Sequence, residues 1–324
     1  MAKNCKLGMK FSGDTSIRSM LRTAALSERL GYNSLWATES RFTRDAITRA
    51  SALSVISHCS AVGTAVVSPF TRSVAVLAIS AATIDEISSG RFILGMGPGT
   101  QKYVESQGIG LEKPLKKLEE VTMILRRLWE GETVTFNGET IRISNMKMDF
   151  KPLRKKVPVY FGVTGEKGIE LALRVSDGII LNGYTTISYL EDACRRAKRR
   201  QSGTEFPILG NVMVCMDNDS EIALKAAKPA VYAYITSFPA IAKANRVSED
   251  EVRQLNSLEA KYGMEQALDQ LDDNLVKEVV AAGTPEECRK RVADYMQHEV
   301  TEVLLTPIFG DHSIIAQEMA ELQA

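Results

Sequence analysis

The sequence has no excess of charge of either sign and no long hydrophobic run. Its 324 residues include 40 basic and 40 acidic side chains, so the formal net charge is zero. A chain without a basic excess is not expected to bind nucleic acid in general. No stretch approaches the roughly 20 apolar residues that cross a bilayer, and no apolar run near the N-terminus is long enough for a signal peptide. We therefore expect a cytoplasmic protein without nucleic-acid or membrane partners.

Cysteine and histidine are scarce and widely spaced. The chain has five cysteines and three histidines, without C-x-x-C or metal-ligand spacing among them. The residues are Cys5, Cys59, Cys194, Cys215, Cys288, His58, His298 and His312. This pattern predicts reduced, mostly buried thiols and no metal site.

Strand-like apolar runs alternate with helical patterns along the chain. The hydrophobic content of 44% excludes a disordered chain, and the length suits either two domains or one α/β barrel. Eight strands are predicted, at residues 6–11, 33–38, 61–67, 91–97, 157–162, 178–182, 208–216 and 302–305. Eight βα units without a linker favour a TIM (β/α)8 barrel over a doubly wound sheet, as a single domain over residues 1–324.

Two segments interrupt this alternation. Residues 131–156 follow the fourth helix and contain alternating strand residues around Asn137-Gly138, which predicts a β-hairpin insertion. Residues 238–280 predict extra helices before the last strand, with a break at Gly263. Thr284-Pro285-Glu286-Glu287 predicts a capping box that opens the following helix.

Functional loops of a barrel follow the C-terminal ends of its strands. Gly95-Met96-Gly97-Pro98-Gly99 follows the fourth strand, where glycine lets a ligand approach the backbone or simply forms a tight turn. Gly162-Val163-Thr164-Gly165-Glu166-Lys167-Gly168 leads from a strand into a helix. Its helix N-terminus, the Thr164 hydroxyl and the Lys167 charge suit a phosphate or carboxylate, although a plain βα turn would have the same pattern.

Glu39 follows the second strand, where a carboxylate could orient a substrate or act as an acid or base. It could instead form a structural pair with Arg41 or Arg72. Asp85 and Glu86 lie within a predicted helix, where structural ion pairs are expected.

Several segments resemble the bacterial luciferase-like superfamily, over nearly the whole chain. They are Trp36-Ala-Thr-Glu-Ser-Arg-Phe-Thr-Arg-Asp45, the run from Val62 to Arg72, the run from Ala82 to Gly99, and Gly283-Thr-Pro-Glu-Glu287. Ile84 to Arg91, Gly95 to Gly99 and Gly162 to Ala172 are most similar to the F420-dependent methylenetetrahydromethanopterin reductase branch. The resemblance implies a TIM barrel with a deazaflavin or flavin at its mouth.

The resemblance also implies roles for individual residues. Glu39 would be the catalytic acid near the pterin or the coenzyme ring, and the loop from Gly162 to Gly168 would hold the coenzyme phosphate. A bulge at Thr64, Ala65 and Val66 would back the ring, often through a non-prolyl cis peptide. The residues implied in cofactor binding are Ser40, Gly63, Thr64, Ala65, Val66, Ser68, Gly97, Gly99, Gly162, Val163, Thr164, Gly165, Lys167 and Gly168.

Three positions depart from the family pattern. Ser40 and Ser73 stand where members often have histidine, and Ala65 stands where the reductase branch usually has glycine. FMN-binding relatives tolerate alanine at the last position. The alternatives are therefore an FMN-dependent luciferase-like monooxygenase and a flavin-binding protein without turnover.

The function expected from the resemblance is hydride transfer between reduced F420 and a C1-carrying pterin, such as a tetrahydromethanopterin derivative, or a related substrate. The irregular segments expected at residues 101–111 and 238–256 would line the substrate pocket. The resemblance also implies a homodimer or homotetramer. Leu77, Ile79 and Ile84 could supply its apolar contacts, or could equally pack against the barrel.

Overall fold

The structure is a computed structural model that describes residues 5–40, 42–198 and 206–323. Its strands are β1 (Lys6–Phe11), β2 (Ser34–Ala37), β3 (Ala61–Thr64), β4 (Phe92–Met96), β5 (Val134–Asn137), β6 (Arg142–Met146), β7 (Val159–Gly162), β8 (Gly178–Ile180), β9 (Ile208–Met216), β10 (Ala281–Gly283) and β11 (Glu302–Phe309). The first seven helices are α1 (Ile17–Arg29), α2 (Ala46–Ile56), α3 (Val74–Ile87), α4 (Gln101–Glu105), α5 (Pro114–Trp129), α6 (Glu166–Val175) and α7 (Ile187–Lys198). The others are α8 (Ser220–Ser237), α9 (Pro239–Ala244), α10 (Glu249–Tyr262), α11 (Met264–Asp269), α12 (Asp273–Val279), α13 (Pro285–Met296) and α14 (His312–Ala320), followed by a 3₁₀ turn, Glu321–Gln323.

Contacts divide the chain into two compact units. One unit is Gly8–Ile180, and the described residues before and after it form the other. In Gly8–Ile180, parallel strands pair in the order β1-β2-β3-β4-β7-β8, while β5 and β6 form a separate antiparallel hairpin. In the other unit, β9 lies between β10 and β11, again in parallel. The strand order along the sheet is that of a TIM (β/α)8 barrel, which confirms the predicted fold class.

Local sequence explains most of these elements. All nine residues of β9 are buried, as expected for a strand covered on both faces of a parallel sheet. Thr284 and Glu287 make both hydrogen bonds of the predicted capping box at the start of α13. The hairpin β5–β6 lies within residues 131–156, and α9 to α12 occupy the predicted helical region, with the break at Gly263.

The structure corrects several expectations. Residues 101–105 form the short helix α4, and most of residues 238–256 are helical, so neither segment is irregular throughout. The three-residue strand β10 was not predicted. Leu77 and Ile84 belong to the core, which is one of the two alternatives left open for them, whereas Ile79 is 48% exposed.

Cys194, Cys215 and Cys288 are buried, while Cys5 is partly buried and Cys59 is exposed. Within the described ranges, no three His, Cys, Asp or Glu side chains are grouped as a metal would require. None of the described helices combines the length and apolarity needed to cross a membrane.

Glu28, at the end of α1, holds the turn that precedes β3. Its Oε1 accepts hydrogen bonds from Ser57 Oγ (2.9 Å) and from the amides of His58 (2.7 Å), Cys59 (2.7 Å) and Ser60 (3.1 Å). Burial alone would raise the pKa of Glu28, but these hydrogen bonds outweigh it and lower the pKa from 4.5 to about 2. The carboxylate therefore stabilises the fold at neutral pH.

We predict that Glu28→Gln lowers the free energy of unfolding at pH 7 by about 1–3 kcal/mol, because hydrogen bonds to a charged acceptor weaken. The folded-state pKa lies below the unfolded one. The stabilisation is therefore complete well above pH 4.5 and is lost as the pH falls towards about 2. Urea denaturation at pH 7 and pH 4 should show a smaller difference from wild type at pH 4. An equal difference at both pH values would contradict an electrostatic role.

Candidate active site

The candidate site lies within Gly8–Ile180, at the carboxyl ends of four neighbouring parallel strands. Register pairs Ala37 of β2 with Thr64 of β3, and Met96 of β4 with Phe161 of β7. The segments that follow these strands therefore leave the sheet at the same edge. They are residues 38–40, 65–68, 97–99 and 163–165, and they contain most of the predicted site residues.

The segment after β3 has the predicted bulge. The Ala65–Val66 peptide is cis, as the resemblance implied. The Thr64 hydroxyl donates to Gly95 O (2.9 Å) and accepts from the Gly95 amide (3.0 Å). At Val67 the hydrogen bonding to β4 and the residue after it resumes. The Val67 amide donates to Gly95 O, and the Val67 carbonyl accepts from the Gly97 amide, both at 3.0 Å. These bonds fix the backbone on both sides of the cis peptide.

Two of the predicted glycines make room for the Val66 side chain. A Cβ at Gly97 would lie 2.7 Å from Val66 Cγ2, and a Cβ at Gly162 would lie 2.6 Å from Val66 Cγ1. Both distances are shorter than real carbon contacts, so only glycine fits there without movement of Val66. The sequence left open a nearby ligand or a plain turn at these glycines, and the structure shows in addition that both lie against the bulge.

Gly63 and Ala65 are buried on either side of Thr64. A Cβ at Gly63 would lie 2.3 Å from Trp36 Cζ3, so the indole ring occupies the space beside this glycine. The small residue at position 63 therefore accommodates Trp36, a packing reason that the sequence analysis did not identify.

Glu39 forms an ion pair with Arg72. Arg72 Nη2 lies 2.5 Å from Glu39 Oε2, and the two side chains are only 15% and 8% exposed. Arg72 also pairs with Asp45, which caps α2 through its contact with the Thr48 amide. Burial opposes the charge on Arg72, but the two carboxylates outweigh it and raise its pKa. Of the two expected partners of Glu39, Arg72 is thus found, while Arg41 lies outside the described residues.

Tyr103, on α4, lies in the electrostatic field of this pair. Burial raises the pKa of Tyr103, and the negative charge of Glu39 raises it further. The centres of the Tyr103 and Phe42 rings are 5.5 Å apart, and the ring planes are tilted by 60°. Glu39, Arg72, Asp45 and Tyr103 therefore form one polar cluster, the acid–arginine cluster.

The predicted anion site is at the start of α6. Gly165 is the N-cap residue and provides no side-chain hydrogen bond to the helix, and a Cβ there would meet nothing within 4 Å. The helix N-terminus thus lacks the acceptor that Ser or Asp would supply, while Lys167 is exposed in the first turn. Glu166 in the same turn adds an opposing negative charge.

The other residues of this loop are more enclosed. Val163 is buried, and a Cβ at Gly168 would lie 2.9 Å from Val163 Cβ, so Gly168 packs inward. Thr164 is half-buried in the loop after β7. The open part of the loop is therefore Gly165 to Lys167.

The remaining predicted residues stabilise turns. Ser68 Oγ donates to Pro98 O (2.9 Å) and accepts from the Phe70 amide (3.2 Å). Gly99 is exposed with φ of +79°, a conformation that favours glycine. Ser40 Oγ lies 3.3 Å from Thr43 Oγ1 in the loop after β2.

Comparison with known proteins identifies the family. The model of the luciferase-like monooxygenase family matches residues 4–302. This chain belongs to that family.

Relatives match it from end to end. A 5,10-methylenetetrahydromethanopterin reductase of Archaeoglobus fulgidus is 29% identical, over 94% of this chain and 95% of that protein. One of Methanolobus tindarius is 27% identical, over 92% of each. The solved structure of the coenzyme F420 dependent tetrahydromethanopterin reductase from Methanopyrus kandleri superposes with a TM-score of 0.84, at 20% identity, over 98% of this chain and 97% of that one.

The sequence of this luciferase-like chain predicts the strand ends that form the site, but it does not predict the whole acid–arginine cluster. Arg72 was considered only as a structural partner, and Asp45 and Tyr103 were not considered for a site. A basic residue in the loop after a strand was the available signal for Arg72. Ser73, one of the departures from the family pattern, caps α3 by accepting from the Val76 amide (3.2 Å). The assignment of individual residues to cofactor binding stays a prediction.

Proposed function

We propose that the chain is an oxidoreductase that transfers a hydride between reduced coenzyme F420 and a C1-carrying pterin, such as methylenetetrahydromethanopterin, or a related substrate. The observation that carries the proposal is the buried Glu39–Arg72 pair beside the bulge after β3, at one edge of the sheet. The end-to-end match to reductases of this chemistry supports it.

The residues at this edge fit a planar cofactor with a phosphate. The bulge carries the small side chain of Ala65 and is held by backbone hydrogen bonds, so it suits the back of a ring. Gly165 leaves space at the helix N-terminus, and Lys167 supplies positive charge beside it. These groups would hold the cofactor, with the phosphate near α6.

The ring supplies the hydride when the cofactor is bound. The protein orients the reactants and controls protons. Glu39 would hold or move a proton at its carboxylate oxygens, and Arg72 keeps that carboxylate in one position. The low exposure of both side chains strengthens their electrostatic effect on a bound substrate.

The test is a fluorescence titration of the protein with F420 and, separately, with FMN. Saturable binding of F420 at least about tenfold tighter than FMN is expected, followed by oxidation of the reduced coenzyme with methylenetetrahydromethanopterin. Tighter binding of FMN, with substrate-dependent oxygen consumption, would replace the proposal by the monooxygenase alternative. Binding of a cofactor with neither hydride transfer to a pterin or related substrate nor oxygen consumption would favour the non-catalytic alternative.

We predict that Lys167→Ala weakens F420 binding about 3–30-fold, because one exposed charge next to the phosphate is removed. The rate at saturating coenzyme should stay within about twofold of wild type. Lys156→Ala, which removes an exposed lysine paired with Asp177, is the matched control and should leave the Kd unchanged. An unchanged Kd for Lys167→Ala would show that the phosphate is held elsewhere.

We also propose that the chain forms a homodimer or homotetramer. Val76 and Ile79 on α3 are 51% and 48% exposed, and neighbouring exposed apolar side chains favour association. Sedimentation velocity at micromolar concentration should show a species at least twice the mass of the chain. A monomer under these conditions would contradict the proposal.

A further inference from the structure

A cavity lies in Gly8–Ile180 beside the acid–arginine cluster, between the loop after β3, helix α5 and the β5–β6 hairpin. Its volume is about 440 Å³, within the range of roughly 300–1,000 Å³ that small-molecule sites occupy. Phe70, Val121 and Ile141 contribute apolar walls. Among the described residues, Arg72, Lys117 and Arg142 line it, and no Asp or Glu does.

Glu120 attaches the hairpin wall of this cavity to α5. Its carboxylate accepts from the amides of Glu139 (2.8 Å) and Thr140 (2.9 Å) and from the Thr140 hydroxyl (2.6 Å), which attaches the hairpin turn to α5. Burial would raise the pKa of Glu120, but these hydrogen bonds outweigh it and lower the pKa. The carboxylate is therefore ionised and used by the hairpin, one helical turn away from Lys117.

Lys117 has a partly buried positive charge with weak partners. Its Nζ lies 5.7 Å from the centre of the Phe70 ring and 3.4 Å from Thr140 O. In the described parts of the chain it makes no salt bridge, and neither does Arg142 on β6. Burial lowers the pKa of Lys117, and attraction to Glu120 only partly opposes this. Arg72 differs, because Glu39 and Asp45 neutralise it.

A half-buried cation without a carboxylate partner gains most from an anion that is bound beside it. The apolar walls at the same time favour a ligand with a hydrophobic body. A ligand with only a charge would leave the apolar walls without contacts, and a ligand with only an apolar body would leave the cations unpaired.

We propose that this cavity binds a small organic acid, with its carboxylate or phosphate group between Lys117 and Arg142 and its apolar body against Phe70, Val121 and Ile141. The proposal does not rest on the hydride-transfer reaction. Because Arg72 lines the cavity and also holds Glu39, the bound acid would lie next to the acid–arginine cluster.

Isothermal titration of the full chain with 2-naphthoate, 2-naphthyl phosphate and the neutral 2-naphthamide tests it. At least one acid should bind saturably, at least about tenfold tighter than the amide. The tighter of the two acids identifies the anionic group. Absence of saturable binding by both acids, or equal binding of acids and amide, would overturn the proposal.

Single substitutions show whether the acid binds in this cavity. Lys117→Met keeps an unbranched side chain, one atom shorter and without the charge, and should weaken acid binding at least about tenfold, with binding of the amide unchanged. Arg142→Gln, at an exposed position, should weaken it about threefold or more and is not expected to disturb folding. Lys116→Met, on the same helix but paired with Glu119 at 3.0 Å, is the control and should have no effect. Loss of binding in Lys167→Ala instead would place the acids at the candidate active site and overturn the proposal.

Discussion

Glu39→Gln is expected to lower turnover at least about 100-fold while changing the Kd of F420 less than about threefold. Glutamine keeps the shape of the side chain but can neither carry the charge nor exchange the proton, and a positioned acid or base contributes about 10²–10⁴ in rate. The carboxylate lies against Arg72 with 8% exposure, so water does not easily replace it. Steady-state rates with reduced F420 and methylenetetrahydromethanopterin, together with the fluorescence titration, measure the two effects separately.

Asp45→Asn is the matched control for that variant. Like Glu39→Gln, it removes one of the two carboxylates that pair with Arg72, while asparagine remains a good N-cap for α2. Turnover of Asp45→Asn should stay within about threefold of wild type. Equal losses in the two variants would show that Glu39 acts only through Arg72 and is not itself catalytic.

The barrel could be predicted because its signals are local. Each strand is a short apolar run and each following helix has its own period and caps, as in β9 and α13. The ends of the strands then fix where functional loops lie, so Glu39 and the loop from Gly162 to Gly168 could be proposed without tertiary contacts.

Contacts between distant residues could not be predicted in the same way. Gly63 is small because of Trp36, which lies on the neighbouring strand in register with it. Arg72 joins Glu39 and Asp45 across two loops whose conformations have no periodic signal. Short elements such as α4 and β10 are stabilised by their surroundings rather than by propensity, so their sequences did not reveal them.

The cavity beside Lys117 also depends on contacts between residues that are distant in sequence, so it could not be predicted. Glu120 and Thr140 are 20 residues apart, and the wall exists only because the hairpin folds back onto α5. From sequence alone, a lysine in an amphipathic helix is expected to be solvent-exposed. Its partial burial follows from Phe70 and Thr140, which come from the loop after β3 and from the hairpin.

Arg154→Ala is expected to lower the free energy of unfolding by about 3–5 kcal/mol, because it leaves a buried carboxylate without its partner. Arg154 Nε lies 3.0 Å from both oxygens of Asp85, whose side chain is fully buried, and Nη2 contacts Asp85 and donates to Phe92 O (2.6 Å). The pair confirms the structural ion pair expected for Asp85. It attaches the end of the hairpin insertion to α3 and β4. Urea denaturation at pH 7 measures the effect.

Two further variants show whether the unpaired charge of Asp85 causes the loss of stability. Arg127→Ala removes a partly exposed arginine paired with Glu132 at 2.7 Å, and it should cost less than about 1 kcal/mol. Combining Arg154→Met with Asp85→Asn removes both charges and should recover part of the loss seen for Arg154→Ala, since no unpaired ion is left buried. If Arg154→Ala costs no more than Arg127→Ala, water reaches Asp85 once the arginine is gone, and the Arg154–Asp85 pair is not what holds the insertion in place.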